Sequence, residues 1–296
     1  MIKKSFYISF FGFVLTACQP STPPPTVGSG TLETLLIDHD DLTRSAQVYT
    51  PEGFDSTFAL PVVLNFHGYG GMALDHMTYT DMASTADEHS FLLVCPQGSL
   101  LDGEPHWNNA LPGPDNKSDA DDLGYLTKLI QALDDQYLID RERIYACGFS
   151  NGGMMAYALA CYLNNEIAAV ACISGCLGDT STTCAPVHPT ATLNIHGTQD
   201  DVISYQGNSE IIGAQEATAF WADRNNTLTS PSITMLQSDS YALEHIRYEE
   251  GDSNVVAEHY KVNGGDHRWF NFSVNGKNAN LLLWEFFDQF DIYGSR

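Results

Sequence analysis

The pentapeptide Gly148-Phe149-Ser150-Asn151-Gly152 constrains this chain most, because of what flanks it. An apolar run (IYACGF) leads into it, and a helix-forming run (GMMAYALA) leads out. Gly-x-Ser-x-Gly at a strand–turn–helix junction puts the serine on a tight, strained bend. The glycines two positions either side remove Cβ atoms that would collide. Ser150 Oγ is then raised above the end of a sheet, at the start of a helix. The helix dipole and the N–H of Asn151 face an oxyanion formed when Ser150 attacks a carbonyl. The bland alternative is a Gly-Ser turn before a helix, and the flanks favour the reactive reading.

The rest of the chain alternates strand and helix signals, which predicts an α/β fold: a mostly parallel central sheet with helices on both faces. Strands are expected at 32–37, 45–49, 60–66, 91–96, 143–149, 168–173 and 192–196, and two or three more within 231–262. Helices are expected at 74–89, 118–137, 151–163, 210–224 and 281–290. Ser118 is placed as the cap of the second helix, with Asp121 three residues on. Residues 97–117, rich in Gly, Pro and Asn, read as a long loop.

A nucleophilic serine needs a base, and the base an orienting acid. Of ten histidines, His267 has the right setting: a glycine-rich loop (GGDHRW) after the last strand and before the final helix. His67 and His196 end buried strands and read as structural or supporting. His39, His76, His89, His188, His245 and His259 read as solvated. The acid belongs between serine and histidine in the chain. Asp200, after the strand in LNIHGTQD, is the first choice, and Asp201 beside it is the alternative. A second oxyanion donor is expected from the loop His67-Gly68-Tyr69-Gly70-Gly71, best from the N–H of Tyr69. Trp107 and Trp269 are candidate pocket walls, with buried core aromatics as the plainer reading. Asp115, Asp119 and Asp121 lack the glycine of a calcium loop and read as a solvated loop and helix start. No metal and no organic cofactor is expected.

Together these pieces resemble the extracellular poly(3-hydroxybutyrate) depolymerase and feruloyl-esterase type of α/β-hydrolase, over roughly residues 40–290. The resemblance rests on His67-Gly68, Ala86-Asp87, Trp107-Asn108, Asp121-Asp122, Arg143-Ile144-Tyr145, the block from Gly148 to Met154, His196-Gly197-Thr198-Gln199-Asp200 with Tyr205, and Gly264 to Trp269. It implies an α/β-hydrolase fold and a triad of Ser150, Asp200 and His267. It implies hydrolysis of short-chain, hydroxyalkanoate, feruloyl or acetyl-sugar esters. Asp266, Arg268 and Phe270 depart from the family's usual Gly-Gly-Gly-His-Thr-Trp-Pro. Asp266 either raises the pKa of the histidine beside it or points away. No polymer-binding domain is recognisable, so soluble esters, oligomers and acylated sugars are expected ahead of solid polyester. The rival readings are a serine peptidase or lipase on the same fold, or a catalytically silent binding lipoprotein.

The N-terminus reads as an address. A basic start, an apolar run too short to span a bilayer (which needs about 20 residues) and Leu15-Thr16-Ala17-Cys18 resemble the lipobox of bacterial lipoproteins. This implies a signal peptide over 1–18, lipidation of Cys18 and anchoring to a membrane, at the outer membrane, periplasm or cell surface. Residues 19–30 (QPSTPPPTVGSG) read as a tether, and 31–296 as one catalytic domain. Export permits disulfides among the six remaining cysteines. Cys176–Cys184 is the favoured pair, and Cys147 reads as a small buried hydrophobe. The formal charge of −24 argues against nucleic acid as a partner. An ester substrate is the expected partner, with no obligate protein partner.

Overall fold

The computed structural model describes residues 28–55, 57–111, 116–178 and 180–296. The expected signal peptide, Cys18 and most of the 19–30 tether lie outside the described residues, as does Asp115.

Twelve strands concern the site: β1 (Thr31–His39), β2 (Leu42–Thr50), β3 (Leu60–Phe66), β4 (Leu92–Pro96), β5 (Ser99–Leu101), β6 (Glu104–His106), β7 (Ile139–Phe149), β8 (Ala169–Ile173), β9 (Ala191–Gly197), β10 (Ser232–Gln237), β11 (Ala242–Tyr248) and β12 (Ala257–Asn263). Ten of them form one sheet in the order β1-β2-β4-β3-β7-β8-β9-β12-β11-β10. The six strands from β4 to β12 run parallel, with antiparallel pairs at both edges. Burial follows position. β3, β8 and β9 are buried throughout, whereas β1 and β10 expose most of their residues. A strand covered on both faces must be apolar on both, which is why LPVVLNF reads as a continuous run.

The helices are α1 (Ala73–Thr80), α2 (Met82–His89), α3 (Asp122–Gln136), α4 (Asn151–Tyr162), α5 (Thr180–Thr183), α6 (Ala214–Arg224) and α7 (Ala279–Phe287). Leu126, Leu129 and Leu133 of α3, Leu159 of α4 and Trp221 of α6 pack with Val62, Leu64 and Phe66 on one face. Met77 of α1, Ala83 of α2 and Trp284 and Phe287 of α7 pack with Val63 on the other. The alternation along β3 is the two-residue period of a strand.

Several expected boundaries move for identifiable reasons. The 74–89 helix is two helices, broken at Asp81, which takes a left-handed φ of 51°. Aspartate tolerates that region better than most residues. The 97–117 loop contains the β5–β6 hairpin. The cap of α3 is Asp121, not Ser118: its Oδ1 accepts the Gly124 N–H at 2.9 Å. Ser118 instead donates to His106 Nε2 at 2.7 Å. The 210–224 helix starts at Ala214, because Gly207 and Ile212 pair first in a small bridge.

The cysteine pairing also differs. Cys184 bonds to Cys161 of α4, with Cα atoms 4.6 Å apart. Cys176 is a buried free thiol, pushed up to about 12 by burial. Cys184 is bonded to α4 and Cys176 is not its partner, so the short sequence gap did not make a bond. Cys147 is buried and free, as expected of a small core residue. Three histidines expected in solvent (His39, His76 and His259) are buried. His76 and His259 are each pushed down to about 3 by burial.

Candidate active site

β7 ends at Phe149 and α4 begins at Asn151, leaving Ser150 on the bend at φ 55°, ψ −118°. Such a backbone costs of order 1–3 kcal/mol and persists only where its surroundings enforce it. Both glycines are required by contact. A Cβ on Gly148 would lie 2.4 Å from the carbonyl of Gly152, and one on Gly152 would lie 2.1 Å from Phe66 O.

The loop after β12 brings His267 to this serine. His267 Nε2 is 3.0 Å from Ser150 Oγ, and its Nδ1 is 2.8 Å from Asp200 Oδ2. A carboxylate only accepts, so Nδ1 carries the ring proton and Nε2 accepts from the serine hydroxyl. The two loops that carry Asp200 and His267 are stitched together. β9 pairs with β12, Thr198 N–H donates to Val262 O, Gln199 N–H to Gly265 O, and Gly264 N–H to Thr198 Oγ1. The far side of the His267 loop is held by Ser174 Oγ on Arg268 O and by Trp269 N–H on Tyr79 Oη.

Asp200 is 7% exposed, whereas Asp201 beside it faces solvent. The N–H groups of Val202 and Ile203 donate to Asp200 Oδ1. His267 and His196 both face Oδ2, with His196 Nε2 at 3.2 Å. Burial works against ionisation here. The hydrogen bonds from His196, His267 and Ile203 outweigh it and hold the carboxyl down to about 2. Asp266 pairs with Arg268 at the surface and so points away from this network.

On the opposite side, the loop after β3 is fixed by His67. Its Nδ1–H donates to Gly68 O at 2.7 Å, while Nε2 accepts from Gly98 N–H at 3.0 Å. Burial holds His67 neutral, down to about 4. Gly70 N–H donates to Pro105 O and Gly71 N–H to Gly68 O. Just before them, the Tyr69 N–H has no protein acceptor among the described residues. Asn151 spends its side chain on Trp107: Oδ1 accepts from Trp107 N–H at 2.7 Å and Nδ2 donates to Trp107 O at 3.1 Å. Its backbone N–H, the first of α4, is what remains for a ligand at Ser150.

Neither tryptophan lines the cleft. Trp107 is fully buried, packs edge-on against Phe66 and donates from its indole to His67 O. It clamps the residue after the serine. Trp269 is 5% exposed and donates to Asn280. An aromatic of either kind is amphipathic, so sequence alone does not say which way it turns. An open cleft of about 260 Å³ beside the Ser150 bend is lined instead by Gly68 to Met72, Asp75, Tyr79 and Phe149. Tyr79 is 53% exposed, and Phe149 lies 4.8 Å from the His267 ring. Tyr79 carries no motif. Asn65, which bonds His76 and Thr80 beneath the cleft, was detectable as the one polar residue in LPVVLNF.

The arrangement offers a nucleophile, a base in the right tautomer, an ionised orienter and amides beside the nucleophile. That is the equipment for acyl transfer. Comparisons with known proteins agree. The model of a family described as phospholipase/carboxylesterase matches residues 56–232, more than half of the chain. Feruloyl esterase B of Piromyces equi is 28% identical over 261 residues, covering 84% of this chain and 46% of that protein. The chain therefore spans less than half the length of that relative. Probable feruloyl esterase C of Aspergillus terreus is 29% identical over 243 residues, covering 80% of this chain and 81% of that one. The solved structure of acetyl xylan esterase from Aspergillus awamori aligns with a TM-score of 0.65 at 14% identity, covering 88% of this chain and 99% of that one. At that identity the likeness concerns the fold, which is the α/β-hydrolase fold.

Proposed function

The chain belongs to the phospholipase/carboxylesterase family, and from that premise we propose that it is a serine carboxylic-ester hydrolase with Ser150, His267 and Asp200 as its triad. The observation that carries this reading is His267 bridging Ser150 Oγ and Asp200 Oδ2 at 3.0 and 2.8 Å. His267 Nε2 takes the hydroxyl proton as Ser150 Oγ bonds to the ester carbonyl carbon. Asp200 holds the tautomer and stabilises the imidazolium. The N–H groups of Asn151 and Tyr69 hold the oxyanion. Losing one such donor typically costs about 2.7–4 kcal/mol. The C–O bond to the alcohol breaks, and the alcohol leaves with the proton from His267. Water, deprotonated by the same nitrogen, then attacks the acyl-enzyme and frees Ser150.

The substrates we favour are feruloyl and acetyl esters of sugars, with 3-hydroxybutyrate oligomers behind them. Two feruloyl esterases among the relatives support the first. The cleft walls, Tyr79, Phe149 and Met72, suit a flat aromatic acyl group. We place the enzyme outside the cytoplasm, anchored through Cys18. The leader pattern and the Cys161–Cys184 disulfide support export.

The test is labelling with a fluorophosphonate, mapping of the adduct by mass spectrometry, and turnover of p-nitrophenyl acetate, methyl ferulate and acetylated xylo-oligomers. An adduct on Ser150 and a loss of kcat on the order of 10⁶-fold in Ser150→Ala are expected. A folded protein that neither labels nor turns over would replace this reading with a binding lipoprotein.

A further inference from the structure

The turn between β1 and β2 sets His39 and Asp40 beside Asp121, the cap of α3. We propose that these three side chains bind one divalent transition-metal ion of the Zn²⁺ or Co²⁺ class, pinning the hairpin to the helix. His39 Nε2 lies 3.1 Å from Asp121 Oδ2 and 3.5 Å from Asp40 Oδ2, and all three donor atoms fall within 4.8 Å of one another. An ion bonded to imidazole nitrogen and carboxylate oxygen at about 2.0–2.2 Å sets its ligands about 3.0–3.5 Å apart. The protein holds both histidine–carboxylate edges at that spacing.

Each ligand is positioned by the fold. His39 pairs with Leu42 at the end of the hairpin, so Asp40 and Asp41 form a two-residue turn, with left-handed φ of 49° and 58°. Asp121 uses Oδ1 to cap α3 and leaves Oδ2 toward the histidine. His39 is only 9% exposed, and its Nδ1 has no hydrogen-bond partner. The ring is thus packed in place with Nε2 aimed at two carboxylates. A proton on Nε2 serves the nearer carboxylate, whereas a divalent ion neutralises both. The two cations that line the adjoining cavities are committed elsewhere: Arg44 to Asp122 and Gln97 O, and Lys128 to Asp38 O.

The chemistry selects the ion. Calcium and magnesium prefer all-oxygen shells, whereas imidazole suits Zn²⁺, Co²⁺ and Ni²⁺. The site opens on a cavity of about 620 Å³ that Asp119 also lines, with room for water to complete the coordination. Gln97 and Gly98, which contact His67, form another part of that wall. The inference is independent of the esterase reading.

The test uses untagged protein, stripped with EDTA and titrated with Co²⁺ and Zn²⁺. Bound metal is counted by mass spectrometry, coordination is followed by the visible Co²⁺ spectrum, and Tm is measured with and without metal. Expected are one retained ion per chain, a ligand-field band, and a Tm rise of about 5 °C at a hundredfold excess over Kd. His39→Ala should abolish all three. Asp40→Asn and Asp121→Asn should each weaken binding about tenfold or more. The exposed Asp40 tolerates substitution without loss of fold, and asparagine keeps the cap at 121. Metal bound equally by all three variants, or no ion retained by the parent protein, would overturn the proposal.

Discussion

The two sides of the candidate active site share one design, a buried histidine at the end of a parallel strand standing behind the working loop. On the acid–base side, His196 ends β9 and faces Asp200 Oδ2 at 3.2 Å and Ile203 O at 2.9 Å. On the oxyanion side, His67 follows β3 and donates to Gly68 O at 2.7 Å. The partner differs. His196 supports a carboxylate, and a hydrogen bond to a charged group contributes about 1.5–3 kcal/mol. His67 supports a neutral carbonyl, where about 0.5–1.5 kcal/mol is usual. Similar placement therefore carries unequal weight, and substitutions can measure the inequality.

Asp200→Asn should have the largest effect. The amide oxygen still accepts from Val202 and Ile203, so the turn survives, but the charge that orients His267 is gone. We expect kcat to fall about 10⁴-fold with the fold retained. A loss under tenfold, with melts that match the parent, would remove Asp200 from the proposed triad. His196→Ala comes next, with kcat/KM down about 10–100-fold if the charged hydrogen bond is expressed in the transition state. It should also move the acid limb of the pH–rate profile upward, because an Asp200 carboxylate without the His196 contact has more charge to offer the His267 imidazolium and stabilises it more. A purely structural role would lower Tm and leave that limb in place.

His67→Ala should cost less in rate, about 2–10-fold in kcat, and should show itself in stability against pH. Burial holds His67 down to about 4, and His76 and His259 down to about 3, against 6.5 for a free histidine. Below 6.5 the unfolded chain binds protons that the folded one refuses. Stability is therefore full above pH 6.5 and falls as pH drops toward 4 and 3. The slope is about 1.4 kcal/mol per unit for each such group. Asp200 acts in a lower window: with its pKa lowered from 3.8 to about 2, its contribution is complete above 3.8 and lost only toward 2. Melts of His67→Ala between about pH 6.5 and 4 should show a shallower decline than the parent. An unchanged slope would mean that His67 is protonated in the folded state.

What the sequence made legible tracks how local the determinants are. The bend at Ser150 is dictated by two glycines and the runs beside them, and it was readable in full. Asp200 and His267 come from loops far apart in the chain. They were readable from their settings after a strand end and in a glycine-rich loop, and the parallel pairing of β9 with β12 sets the two loops side by side. Cys176, His39, His76 and His259 were misread for the opposite reason. Their surroundings are assembled from distant segments, and no local pattern tells a buried ring from an exposed one. The Cys161–Cys184 bond joins positions 23 apart, one of them on α4, and is a tertiary fact. Asp121 shows the intermediate case: its cap to Gly124 is a local pattern, while its contact with His39 spans 82 positions.

The smallest effect should come from Asp266, the residue beside the catalytic histidine candidate where the chain departs from its resemblance. Adjacent in sequence, Asp266 and His267 point to different partners. Asp266 is 52% exposed and pairs with Arg268, 47% exposed. That pair holds the Asp266 carboxyl below the usual range, so it stays ionised. Water and salt screen an exposed charge, and ion pairs of this kind contribute little. Asp266→Asn should therefore leave kcat/KM within about twofold of the parent and change the acid limb little at physiological salt. At low salt a small shift of the limb is expected, because a carboxylate near an imidazolium stabilises it more when screening weakens. A large shift that persists at high salt would mean that Asp266 turns inward during catalysis. The acid–base side would then have a second carboxylate, and the contrast between His196 and His67 would no longer account for the difference between the two halves.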